Sequence, residues 1–376
     1  MPRTPALMGL ALVLPALLVA PSHATPASCQ GQSNKSSHRA IGAGTAASPH
    51  LLCNAAQLKS LGNASADWGR VYALGADITL NSLLMIGMKP IGTSAVPFSG
   101  QFLGQDRSIS NYALSQSMTS HVGVFGVVSG HVERLRVTSP ALYGGANVGA
   151  AVGSLLAGGT VSDVHVRGGS VRANVSNVGG VVGSAAGTVT RSSVAGTSVV
   201  GRISNVGGLV GWLAAGGSVA DSYADVVIDT VGVAVGGLVG GAGAGASVAD
   251  SYAAGSVAGN GAMVGGLVGS CQGATIAGAF AAATVVGDDD GVDARVGLFV
   301  GAKACASVTD SYYDRVSCTN LGDGDCASDM PGVTGIWGAF FPDYFTSPAT
   351  EPLASWDFVD TWVEVSGAHP ELVGAP

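Results

Sequence analysis

The feature that most constrains this chain is a short glycine-valine block that returns about every 29 residues. VGGVVG closes at Gly183 and VGGLVG closes at Gly211, Gly240 and Gly269, with degenerate copies closing at Gly126, Gly153 and Gly301. These closing glycines stand 27, 30, 28, 29, 29 and 32 residues apart. Six to eight residues after each comes a second marker: Val132, Val161, Val189, Val219, Val248, Ile276 and Val308. It continues as VADSY at 219–223 and 248–252, and as VTDSY at 308–312. Two markers in a fixed relation identify a repeated structural unit.

Short β-branched runs separated by Gly, Ser and Ala suit one solenoid coil per repeat. Helical repeats would need longer segments of 3.6-residue periodicity and few glycines. The fold expected is therefore all-β, a right-handed parallel β-helix (β-solenoid) with seven coils over residues 121–316. Coils stacked at about 4.8 Å would make a rod of roughly 34 Å. The composition agrees: 59 of 376 residues are Gly, charged residues are 11%, and the mean hydropathy is +0.42. Such hydrophobicity argues against disorder, and the glycines lack the three-residue period of collagen. Glycine is expected where repeated corners need positive φ or close backbone approach. Sixteen basic against 24 acidic residues, with no basic cluster, leave no nucleic-acid footprint.

Stacking turns equivalent positions into rows. Four residues past the Val marker the row reads Arg136, His165, Ser193, Tyr223, Tyr252, Phe280 and Tyr312, so its last four members form an aromatic ladder. Two residues past the marker it reads Arg134, Asp163, Arg191, Asp221, Asp250, Gly278 and Asp310. Basic and acidic residues alternate over its first four places, so stacked neighbours attract. A ligand or Ca²⁺ stripe at Asp221, Asp250 and Asp310 is weighed against a turn role, in which each Asp bonds local backbone; the turn role is preferred.

The GGLVG block followed by VADSYA resembles the GLUG repeat of exported, often adhesin-like bacterial proteins, which also occurs beside some secreted peptidases. The resemblance covers 121–316 and extends more loosely to 90–114 and 356–372. It implies a β-helical rod in an extracellular or cell-surface setting. No catalytic residue belongs to the repeat itself.

The ends differ from the middle. Residues 1–24 have the form of a secretory signal: Arg3, an apolar run over 6–20, and small residues Ser22 and Ala24 before cleavage. Residues 25–120 are read as an N-terminal cap and first coils. In it, 51–62 forms a short helix with Asn54 as N-cap, Leu58 and Leu61 on one face and Gly62 at C′, followed by coils at 71–80 and 98–114. Residues 317–376, with Trp337, Trp356 and Trp362, are expected to fold over the opposite end and bury their indoles. The charge-free run from Tyr252 to Gly287 is read as buried coil faces, leaving no transmembrane segment in the mature chain.

Six cysteines, all past the cleavage site, suit an oxidising compartment. Cys271 and Cys305 occupy the same loop of adjacent coils, Cys318 and Cys326 would close a local loop, and Cys29 and Cys53 would tether the N-terminus. In GDDDGVDAR (287–295), Asp288, Asp289, Asp290 and Asp293 are Ca²⁺ candidates, although a solvated loop is preferred. With Arg295 the segment also resembles the acidic-plus-Arg chemistry of β-helical polysaccharide lyases. NLGDGDCASD (320–329) is a second acidic loop. HExxH and Walker A are absent from the sequence, and GxSxG lacks a supporting context. Apart from possible Ca²⁺, no cofactor is expected. The expected function is an exported, adhesin-like binding or structural protein for an extracellular glycan or protein. A carbohydrate-active lyase or hydrolase and a passive envelope component are the alternatives.

Overall fold

The computed structural model describes residues 29, 34–81, 83, 86–260, 263–287, 295–315, 318–320, 330–337 and 343–375. Residues 1–24, read from the sequence as a secretory signal, lie outside them. One coil runs through the strands Thr160–Arg167, Ser170–Gly179 and Val182–Ala185, and each pairs in parallel with its equivalents on the coils before and after. The chain is an all-β parallel β-solenoid.

The rows read from the sequence are the observed register. Val132, Val161, Val189, Val219, Val248, Ile276 and Val308 are successive backbone partners. The same row continues below the repeats through Phe102 and Tyr72 to His50, so the rod begins well before the first GGLVG copy. Each coil turns these β-branched side chains inward, and from Val132 to Ile276 they are at most 1% exposed.

Among the described residues, the closing glycines occupy a separate seven-stranded sheet, one to a strand. Their φ angles are not left-handed; what they supply is room. A Cβ on Gly240 would stand 2.6 Å from the carbonyl of Gly211 and 2.6 Å from the amide of Val206. The sheet therefore closes on backbone, and only hydrogen fits there.

Glycine holds left-handed corners as expected at Gly158, Gly216, Gly245 and Gly273, with φ of +80°, +76°, +72° and +79°, and polar residues hold most of a second row of corners. Arg134, Asp163, Arg191, Asp221, Asp250 and Asp310 have φ between +43° and +54°, and Gly278 has +59°. Asp and Asn tolerate this region better than most side chains. The buried serine that follows the corner joins coils. Ser251 Oγ donates to its own Ala249 carbonyl at 2.6 Å and accepts from the Ser222 amide of the preceding coil at 3.1 Å. Ser222 repeats the arrangement with Ala220 and Ser192. The DSY motif thus encodes a corner, an inter-coil hydrogen bond and an outward ring.

At the N-terminal end, Asn54 caps helix α1 (Ala55–Gly62) as expected, its Oδ1 accepting from the Gln57 amide at 3.0 Å, whereas Leu51 and Leu52, expected in the helix, belong to the strand His50–Leu52, which pairs with the next coil. Leu58 and Leu61 join the rod's own core. Gly62 is the last helical residue, with Asn63 as C-cap, so the C′ expectation is corrected. Its missing side chain makes room for the Lys89 carbonyl, which a Cβ would meet at 2.7 Å.

The C-terminal segment is the larger difference. Residues 343–375 lie along the flank of the rod, where Phe345, Leu353, Trp356, Trp362 and Leu372 cover Tyr223, Tyr252 and Phe280. The Trp356 indole donates to the Gly278 carbonyl at 2.9 Å, and the Tyr252 hydroxyl donates to Pro370 at 2.8 Å. An outward row of rings is an apolar stripe that needs covering, and this segment covers it. Trp356 and Trp362 are buried as expected, whereas Trp337 is 48% exposed.

Because Gly240 closes on backbone, Gly240→Ala is expected to cost about 1–3 kcal/mol, the range for overpacking a tight core. Urea unfolding followed by circular dichroism measures it; an unchanged midpoint would contradict the close-approach account.

Candidate ligand-binding cleft

A cleft of about 630 Å³ opens near the N-terminal end of the rod. Its walls come from three non-repeating segments: the turn after α1 (Asn63, Ser65, Trp68), the loop 89–96, and the loop 116–121. Trp68 is buried and donates its indole N–H to the Leu61 carbonyl at 2.9 Å, so its ring is fixed. Around it stand hydroxyls and amides, including Thr93, Ser94, Gln116, Thr119 and Ser120, with Lys89 the charged lining residue. No carboxylate lines the cleft.

His121 is the member with the most defined chemistry. Its backbone is left-handed at φ +61°, the first place of a row that continues with Asn147, Asn177 and Asn205 at φ +53°, +53° and +41°. The Asn205 amide donates to Asn177 Oδ1 at 2.8 Å, Asn177 donates to Asn147 Oδ1 at 2.8 Å, and Asn147 Nδ2 meets His121 Nδ1 at 3.3 Å. Hydrogen bonds aligned in one direction polarise one another. Burial lowers the His121 pKa, so the ring is neutral at neutral pH. With Nδ1 accepting, the proton sits on Nε2. Sequence reasoning missed this row, although the recurring Asn-Val-Gly of 147–149, 177–179 and 205–207 carried its signal.

A second, smaller concavity of about 390 Å³ lies on an exposed strand face next to the cleft. Tyr143, Arg172 and Arg202 line it together with Ser115, Ser170 and Val200. Ser115 and Gln116, consecutive in the chain, line the face and the cleft respectively, which makes the two concavities neighbours.

The residues singled out in the sequence fall as follows. Tyr223 and Tyr252 stack at 5.0 Å with planes 4° apart, and Tyr252 and Phe280 at 4.7 Å with planes 3° apart. Tyr312 pairs with Phe280 through the backbone but turns its ring to Tyr344 at 5.6 Å. In the charged row, Arg191 Nε donates to Asp163 Oδ1 at 2.8 Å, and Arg134 pairs one coil lower with Asp106. Burial raises the pKa of both Asp221 and Asp250, and the Asp221 charge pushes Asp250 further. Disulfides join Cys29 to Cys53 and Cys271 to Cys305, with Cα–Cα distances of 5.6 and 5.0 Å. The Cys318–Cys326 pairing lies outside the described residues, as do Asp288, Asp289, Asp290, Asp293 and the side chain of Arg295. Among the described residues no group of three or more His, Cys, Asp or Glu could hold a metal ion.

The repeating rod defines the chain as a parallel β-solenoid with a polar cleft near its N-terminal end. No family model matches the chain. Over 151 residues it is 30% identical to Halomucin of Haloquadratum walsbyi, a match covering 38% of this chain and 2% of Halomucin. The crystal structure of a candidate immunoglobulin A1 protease from Bacteroides ovatus superposes with a TM-score of 0.58 at 18% identity, over 89% of this chain and 95% of that one. That likeness is one of fold. No described helix is long and apolar enough to cross a membrane.

One further cluster was invisible in the sequence. His38 contacts Ser60 Oγ through Nδ1 at 2.8 Å and Asp67 Oδ2 through Nε2 at 2.7 Å, the connectivity of a nucleophile relay. Asp67 is, however, also paired with Arg39 and Arg70, and none of the three relay residues lines the cleft. The cluster is a clamp that holds the N-terminal segment on α1. The Arg39 hydrogen bond is the main cause holding the Asp67 carboxyl well below the usual carboxylate range, with His38 adding to it against the opposing effect of burial. A depressed carboxyl stabilises the fold above its unfolded value, and that stability is lost as pH falls towards the folded value. Thermal unfolding should therefore show an acid limb below the ordinary carboxylate range that is reduced in Asp67→Asn. That variant should also lose about 1–3 kcal/mol at neutral pH.

Proposed function

We propose that this chain is an exported β-solenoid that binds an extracellular glycan in the cleft around His121. The observation that supports the reading is the direction of the Asn205–Asn177–Asn147 chain. It ends by donating to His121 Nδ1, which leaves Nε2–H as a fixed neutral donor. A ring in that tautomer can donate a hydrogen bond to a ligand oxygen but cannot take a proton through Nε2. Sugar hydroxyls both donate and accept, and Ser, Thr, Asn and Gln side chains on the cleft wall answer both roles. A fixed aromatic residue and a few convergent polar groups are what a small-ligand site requires. The two disulfides suit an oxidising compartment. Identity with a segment of a protein named a mucin is in keeping with a place outside the cell.

The test is a glycan array followed by titration calorimetry on the full chain. His121→Asn is the informative variant, because Asn already holds the equivalent left-handed position on the next coils. It should keep the far-UV spectrum and weaken glycan binding about tenfold, the effect of losing one well-placed hydrogen bond. Failure of any glycan to bind would remove the proposal. Release of shorter fragments from a bound polysaccharide would replace it with the lyase or hydrolase alternative.

A further inference from the structure

We infer that the exposed face beside the cleft recognises negative charge, so that the glycan is an acidic linear polysaccharide. This rests on the cleft reading and adds the ligand's chemical class. Net charge across the chain is −8; Arg134 and Arg191 are matched to Asp106 and Asp163, and Arg136 bonds the backbone carbonyls of Asp106 and Gly374. Arg172 and Arg202 are set apart by sharing one concavity. Both are exposed, both line the 390 Å³ concavity, no carboxylate lines it with them, and no ion pair among the described residues includes either.

Their placement is set by the solenoid. Tyr143 is the register partner of Arg172, and Arg172 is the partner of Val200, two residues before Arg202. Neighbouring coils lie about 4.8 Å apart, so Arg172 and Arg202 are carried on successive coils, offset by two residues. A guanidinium fork binds a carboxylate or sulfate through two parallel hydrogen bonds. The Tyr143 ring offers a flat apolar surface of the kind that the C–H face of a sugar covers. The strand that carries Arg172 is paired on both sides, so its backbone is set before a ligand arrives, and Arg202 directly follows the end of strand Ser193–Gly201. Asp225 and Asp229 are exposed on the next coil and end the basic surface on that side. A polyanion is thereby directed the other way, past Ser115 towards Gln116 and the cleft. A periodic polymer matches a periodic row of rungs better than an acidic peptide does.

The experiment titrates polygalacturonate, dextran sulfate, neutral dextran and poly-glutamate against the wild type, Arg172→Gln, Arg202→Gln, the double variant and His121→Asn. The acidic polysaccharides should bind, more weakly at high ionic strength because exposed charges are screened. Each single Arg variant should lose about tenfold in affinity, and the double variant more. Preference for dextran sulfate or for polygalacturonate identifies the anionic group. Equal binding of neutral dextran, intact binding by the double variant, or poly-glutamate binding as tightly as the polysaccharides would overturn the inference. If the double variant binds normally while His121→Asn does not, the cleft reading stands alone. If only the Arg variants lose binding, the face acts alone and the cleft reading fails.

Discussion

Coil-on-coil backbone pairing is the interaction on which the rest of the structure depends. Parallel strands hydrogen-bonded about 4.8 Å apart place every residue over its equivalent one repeat away. Once that register holds, a single residue type is repeated in space, and its energy is repeated with it. The valine markers become a continuous core row. The serine of the DSY motif becomes a line of hydrogen bonds between coils. The closing glycines become a seam where backbone meets backbone, with no room for a side chain.

The same stacking produces directional features that a single coil could not have. Four left-handed positions, His121, Asn147, Asn177 and Asn205, form a polar chain that sets the tautomer of the cleft histidine. Tyr143 and Arg172 share an exposed surface because they are register partners on adjacent coils. The rings of Tyr223, Tyr252 and Phe280 stack almost parallel and form an apolar stripe that holds the C-terminal segment. The core row, the tautomer of the cleft histidine and the apolar stripe on the flank are therefore consequences of one periodicity.

Most of the rod was legible because its signals recur at the distance that the structure uses. The Val row, the aromatic row and the charged row each needed only the repeat length. The Cys271–Cys305 bridge also followed from it, since both residues occupy the same loop of adjacent coils. Both roles assigned to glycine were legible: Gly158, Gly216, Gly245 and Gly273 hold left-handed corners and the closing glycines serve close approach, while the further corner rows held by Asp, Arg and Asn were not. Tyr312 kept its backbone place in the aromatic row but gave its ring to Tyr344, a neighbour that no period announces. The N-terminal clamp was not legible, because His38, Ser60 and Asp67 meet across segments that repeat nothing.

By itself the sequence determined a glycine-rich parallel solenoid, its register, the outward aromatic row and the helix capped by Asn54. A period constrains each residue against those one coil away, and these features are all contacts of that kind. Tertiary structure alone decided the walls that surround His121 and the course of residues 343–375 along the flank. Each of these joins residues with no fixed spacing, so their meeting depends on how the non-repeating segments pack against a finished rod.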